Sequence, residues 1–118
     1  MFNMMKITQA IIAISLVTNA HAAENTQSMK LFSIESRESG SHALYFTGSI
    51  PNQGCTLSDR AVIVESSPGG GTMLQVAFTA LTTRQLVIAR VDGCVPINPP
   101  DTTITAPKVT KLQIYYAF

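Results

Sequence analysis

The pattern of apolar and polar positions predicts a chain made mainly of β-strands. Apolar, β-branched and aromatic residues alternate with polar ones in short stretches, and turn-forming residues separate the stretches. The predicted strands cover residues 30–37, 42–50, 60–66, 84–93 and 108–118. The polar segment 23–28 precedes them and is expected to be frayed.

Strict alternation within these stretches assigns each side chain to one of two faces. In the first strand, Leu31 and Ile34 fall on opposite faces. In the last strand, Val109 falls on the face opposite to Leu112 and Ile114. The sequence therefore predicts that these apolar residues are divided between two surfaces.

One segment has the period of a helix instead. Behind the three glycines at 69–71, residues 73, 74, 76, 77, 78, 80 and 81 are apolar, and polar residues recur near the helical spacing. Thr72 is a plausible N-cap, so we expect a helix of about three turns, about 15 Å long. A phosphate-binding loop is disfavoured because the glycines are not followed by the Lys-Ser/Thr pair that such a loop requires.

The apolar face of this predicted helix is wider than one sheet contact needs. A long loop of the same chain could cover the excess, or copies of the chain could assemble through it. The interface predicted for such an oligomer is formed by Met73, Leu74, Ala77, Phe78, Ala80 and Leu81.

Prolines are concentrated between residues 95 and 108, where four of the six occur. Proline cannot donate a ladder hydrogen bond, so this segment is predicted to be a long exposed connection rather than a strand. Such a loop is a possible recognition surface.

The first 22 residues are typical of a secretory signal peptide. Lys6 provides a positive charge, residues 10–17 form a short apolar core, and 20–22 (AHA) form a small-residue cleavage site. A membrane anchor is less consistent, because the apolar run is about half the roughly 20 residues that span a bilayer. The 118 residues less these 22 leave 96, so we predict a single domain over 23–118, secreted or periplasmic, with no membrane span.

Export also determines how the two cysteines are interpreted. Cys55 and Cys94 are predicted to form a disulfide that closes a loop of about 40 residues, worth roughly 4 kcal/mol. A metal site would need further ligands, and His42 is the sole histidine after the signal peptide, so we predict no metal and no cofactor.

The charges after residue 22 balance, with seven Lys/Arg against seven Asp/Glu. Such a surface has no long-range attraction for nucleic acid or anionic lipid, so neither is expected as a partner.

Five strands, one helix between the third and the fourth, and a disulfide favour a mainly β fold of the OB type, a five-stranded barrel. The order of several residues also resembles a known family. Those residues are Tyr45-Phe46, Cys55, Met73-Leu74, Ala77, Ala80, Arg84, 87–91 and Cys94. Over about residues 44–116, this pattern resembles the B subunits of pertussis-like and subtilase-type AB5 toxins and their small stand-alone relatives. The chain departs from that family in having no tryptophan.

The resemblance implies a ring, homopentameric or mixed, whose helices line a central pore. It also implies a catalytic A subunit as partner and a cell-surface glycan as ligand. Sugars are usually held by an aromatic face together with hydroxyl and amide groups. The candidate glycan contacts are Tyr45, Tyr115, Tyr116, Arg37, Ser39 and Ser41.

An enzyme is not expected, because catalytic work would fall on His42 alone, which we interpret as a surface or strand-end residue. The acidic residues are scattered, without the pairing typical of glycoside hydrolysis. The alternative to a glycan-binding subunit is a stand-alone secreted or periplasmic OB-fold protein with a structural or interaction role and no sugar binding.

Overall fold

A computed structural model describes residues 21–115. Of the predicted signal peptide, only residues 21 and 22 lie within that range. Tyr116 lies outside it.

The described chain is mainly β, with one helix. Its elements are β1 (Glu24–Asn25), β2 (Met29–Ser36), β3 (Ser41–Phe46), β4 (Ala61–Val64), α1 (Gly70–Thr83), β5 (Leu86–Asn98) and β6 (Asp101–Tyr115). The five predicted strands correspond to β2 to β6, and the helix lies between the third and fourth of them as expected.

The strands form one six-stranded sheet in the order β1-β5-β2-β3-β4-β6, with an additional pairing between β5 and β6. Each of the strands β2 to β6 therefore has at least two partners. The β4–β6 pairing is parallel, and the other pairings are antiparallel.

The two-face assignment from strict alternation is wrong in β2. The register against β3 shifts between Leu31 and Ser33, which inserts Phe32 as an extra residue. Leu31 and Ile34 consequently reach the same core, and Phe32 is left 62% exposed.

The same correction applies to β6. The register against β5 shifts between Arg90 and Val91, and Thr110 is the additional residue. Val109, Leu112 and Ile114 then contribute to one core instead of two surfaces.

The proline-rich segment is also not the connection that the sequence predicted. Cys94 pairs with Pro107 and Pro96 with Thr105, so β5 and β6 continue as a long antiparallel ribbon with its turn at residues 99–100. In antiparallel pairing, alternate N–H groups point away from the partner strand, and proline is tolerated at such positions. The ribbon brings Val95, Ile97 and Ala106 against β3 and β4.

The N-terminal segment is paired rather than frayed. Glu24 and Asn25 pair with β5, and Thr26 is 6% exposed. The Thr26 N–H donates to the Ala89 carbonyl at 2.7 Å, and its hydroxyl oxygen accepts from the Ala89 N–H at 3.0 Å. One threonine thus fastens the segment to β5.

Helix α1 begins at Gly70, with Gly69 as its N-cap in the left-handed region (φ 75°). The expected N-cap, Thr72, lies inside the helix. Gly70 is buried against the end of β4, where a Cβ atom would lie 2.2 Å from the Val64 carbonyl oxygen. Glycine is needed at this position for close approach rather than for a positive φ.

The predicted disulfide is confirmed. Cys55 and Cys94 are bonded, with their Cα atoms 5.6 Å apart, and the bond joins the loop after β3 to β5. The neighbouring Gln53 is 4% exposed, accepts the Gly93 N–H at 3.0 Å and donates to the Ala22 carbonyl at 2.9 Å. The loop is therefore fixed to β5 by both a covalent bond and a hydrogen bond.

Candidate functional site

An open depression of about 570 Å³ lies where the β2–β3 turn meets the tip of the β5–β6 ribbon. Its lining residues are Arg37, Glu38, Ser39, Asn98 and Pro99. We name it the loop depression. The sequence predicted Arg37 and Ser39 as glycan contacts and, independently, the proline-rich segment as a recognition surface. The structure brings all three together in this depression.

The β2–β3 turn is held by its own backbone. The Arg37 N–H donates to the Ser41 carbonyl, the Gly40 N–H donates to the Arg37 carbonyl, both at 3.0 Å, and Gly40 has a φ of 87°. The Arg37 guanidinium donates to Glu35 at 2.9 Å, and both side chains are partly exposed. This exposed ion pair adds little stability, so Arg37 can exchange it for a ligand at small cost.

The ribbon side of the loop depression is ordered by Asp101. Its carboxylate accepts the Thr103 N–H at 2.9 Å and the Thr103 hydroxyl at 2.7 Å. These two hydrogen bonds hold the pKa of Asp101 below its usual value, and the one from the Thr103 backbone has the larger effect. Two small segments with internal hydrogen bonds thus frame the depression.

An aromatic patch lies on β2 and β3. The rings of Phe32 and Tyr45 are 6.3 Å apart, and the Arg60 guanidinium lies 5.0 Å from the centre of the Tyr45 ring. Arg60 also donates to Asp59, and that hydrogen bond lowers the pKa of Asp59 and raises that of Arg60. Arg60 therefore lies over one face of the Tyr45 ring, and a sugar could not stack on that face without displacing it.

The other predicted contacts are placed elsewhere. Ser41 is 3% exposed and lies at the start of β3, so we leave it out of the proposed contact set. Tyr115 lies at the end of β6, opposite Leu86. Tyr116 lies outside the described residues.

A second depression, of about 370 Å³, lies between β2 and the end of α1. It is lined by Lys30, Leu31, Phe32, Thr47, Leu81 and Arg84. We name it the helix-end depression. Arg84 follows the helix in the left-handed region (φ 56°), where glycine is the usual residue. The sequence nominated neither Lys30 nor Arg84 as a contact.

His42 was predicted to be a surface or strand-end residue; it lies near the start of β3 but is not at the surface. It is 6% exposed, its Nδ1 lies 2.8 Å from the Ser36 hydroxyl oxygen, and its Nε2 lies 2.9 Å from a Glu65 carboxylate oxygen. A serine, a histidine and an acid are therefore grouped, which sequence separation concealed. The signal available in advance was that Ser36 and His42 flank the short turn between the first two predicted strands.

The residues predicted for an oligomer interface divide into two sets. Ala77 and Ala80 are fully buried against this chain's own core, and Met73 and Leu81 pack on that core from its border. Phe78 remains 46% exposed, and Leu74, one turn earlier, is half-buried. The part of the helix that a neighbour could contact is therefore the flank formed by Leu74 and Phe78.

Within residues 21–115, no three His, Cys, Asp or Glu side chains are grouped as metal ligands. Over the same range, no helix is long and apolar enough to cross a membrane. No protein-family model, curated protein or solved structure matches the chain.

Proposed function

We propose that this chain is an exported binding subunit that recognises glycans through the loop depression. The observation that carries the proposal is the meeting of Arg37 and Ser39 with the ribbon tip in one depression. Its volume of about 570 Å³ lies within the range typical of ligand sites. The guanidinium, hydroxyl and amide groups on its wall are suited to the hydroxyl groups of a sugar.

The strand pairing supports an OB-like five-stranded barrel as the scaffold. Without β1, the pairings run β2-β3-β4-β6-β5 and return to β2. In OB folds, the loop between the first two strands and the loop between the last two bind oligosaccharides or oligonucleotides. Those are the two loops that line the depression. The balanced charge of residues 23–118 favours a glycan over a nucleic acid.

Assembly into a ring, pentameric as in the B subunits that the sequence resembles, is the second part of the proposal. Phe78 supports it, because a phenylalanine that is 46% exposed beside a half-buried Leu74 leaves apolar surface for a neighbouring copy. A catalytic A subunit would then bind the assembled ring.

A glycan array with matched variants tests the binding site. The test protein carries Arg37→Ala and Ser39→Ala, and the control carries Arg84→Ala, which removes the same charge from the helix-end depression. We expect wild type and control to bind the same glycans and the double variant to lose at least about tenfold in affinity, or about 1.4 kcal/mol. Equal binding by the double variant would disprove the assignment of the site.

Light scattering coupled to size-exclusion chromatography tests assembly independently. Phe78→Ser should reduce the particle mass, whereas Thr79→Ser, an exposed neighbour on the same helix, should not. A monomeric wild type would remove the ring and favour the alternative, a stand-alone protein with a structural or interaction role. Ala77→Glu cannot be used to test assembly, because a charge at this fully buried position would unfold the domain whether or not it assembles.

A further inference from the structure

We propose that Ser36, His42 and Glu65 form a nucleophile site in which Ser36 attacks carboxylic esters. We name these three residues the Ser36 group. This activity does not depend on glycan binding. A nucleophile within hydrogen-bonding reach of a base, with the base oriented by a third residue, is the arrangement shared by serine-dependent acyl transferases.

The hydrogen bonds determine where the proton lies. An ionised carboxylate can only accept, so the histidine nitrogen 2.9 Å from Glu65 must donate, which places the imidazole proton on Nε2. Neutral His42 then has its lone pair on Nδ1, 2.8 Å from the Ser36 oxygen. In this neutral tautomer the Ser36 hydroxyl donates its hydrogen bond to His42 Nδ1, which is the nitrogen that must take up the proton when the serine attacks.

The backbone keeps the Ser36 group in position. Ser36 and His42 are register partners across β2 and β3, and Glu65 follows β4 directly. The Glu65 N–H donates to the Gly40 carbonyl at 2.9 Å, and Gly70 packs closely on the Glu65 carbonyl. Two neighbouring strands thus supply the serine and the base, and the turn directly after a third strand supplies the acid.

Exposure is divided as this chemistry requires. The His42 side chain is 8% exposed, so water is largely excluded from the base. Ser36 itself is exposed, and the next residue, Arg37, begins the wall of the loop depression. A histidine that only filled space in the core would not need an exposed serine hydroxyl hydrogen-bonded to its Nδ1.

The proposed reaction has two balanced stages. The Ser36 oxygen bonds to the ester carbonyl carbon while its proton passes to His42 Nδ1, and the carbon–alkoxide bond then breaks as that proton passes to the leaving alcohol. Water next attacks the acyl-serine, gives its proton to His42, and releases a carboxylic acid as the proton returns to Ser36. No redox partner or metal is needed.

A fluorophosphonate probe tests the nucleophile directly. The serine oxygen bonds to phosphorus, fluoride leaves, and the serine proton is taken up by His42. Intact-mass and peptide mass spectrometry should show one adduct on wild type, at Ser36, and none on Ser36→Ala. Ser58→Ala, which removes an exposed hydroxyl on the loop after β3, should label at the wild-type rate.

Glu65→Gln separates reactivity from folding. The Glu65 side chain is 55% exposed, so this isosteric change should leave the urea unfolding midpoint nearly unchanged. Because the amide no longer enforces the reactive tautomer, we expect labelling at least about tenfold slower. A wild type that the probe leaves unlabelled, or a Glu65→Gln variant that labels as fast as wild type, would overturn the proposal.

Discussion

Replacing Gly70 with alanine should destabilise the domain, although alanine is the better helix former. A Cβ at this position would lie 2.2 Å from the Val64 carbonyl oxygen and 2.7 Å from that of Glu65. Both obstacles are backbone atoms of the segment that enters α1, so no side chain can rotate away. The start of the helix must move by roughly 1 Å to restore ordinary contact distances.

The magnitude follows from two opposing terms. Forcing a methyl group into a well-packed site typically costs about 1–3 kcal/mol, and the steep overlap here indicates the upper part of that range. Helix propensity returns at most about 1 kcal/mol. We expect a net loss of about 2 kcal/mol, which lowers the melting temperature of a domain of this size by about 10 °C.

Gly71→Ala provides the matched control. At the next residue, a Cβ atom would meet nothing within 4 Å apart from its chain neighbours and the backbone of its own helix, so only the propensity term remains. This variant should be neutral or more stable by up to about 1 kcal/mol. Urea unfolding followed by circular dichroism, with the disulfide intact, measures both. A Gly70→Ala protein that unfolds at or above the wild-type midpoint would refute the reasoning.

Three further predictions concern other parts of the fold. Replacing Cys55 and Cys94 together with serine should lower the free energy of unfolding by about 4 kcal/mol, and an unchanged urea midpoint would contradict the loop-closure argument. Thr26→Val leaves the buried Ala89 N–H without its acceptor, so we expect a loss of about 1–3 kcal/mol in the free energy of unfolding and faster hydrogen exchange at the Ala89 amide. Exchange at the wild-type rate would argue against a stabilising role for this hydrogen bond. Because the Thr103 hydrogen bonds lower the pKa of Asp101 in the folded state, they contribute stability that is present above the usual carboxyl pKa and lost as the pH falls through the lowered value. Thermal unfolding should therefore show wild type losing stability relative to Asp101→Asn below about pH 4, and parallel curves would exclude this contribution.

Local chemistry determined the class of fold and most of its elements. The change from alternating to helical spacing located α1, because the apolar period differs between a strand and a helix. Two cysteines in a chain with an export signature sufficed to predict their bond. Arg37 and Ser39 were nominated from the functional groups that sugars require. None of these inferences depends on which residues distant in the sequence are in contact.

Tertiary structure decided what depends on contacts between distant segments. The extra residues Phe32 and Thr110 change which side chains face inward, and a bulge is set by the partner strand rather than by local preference. The proline-rich segment becomes a ribbon because β5 and β6 supply partners and β3 and β4 a surface to cover. The Ser36 group was hidden for the same reason: its serine and histidine lie on two strands and its acid follows a third, and only the registers that close the sheet bring Ser36 and Glu65 within 3 Å of His42.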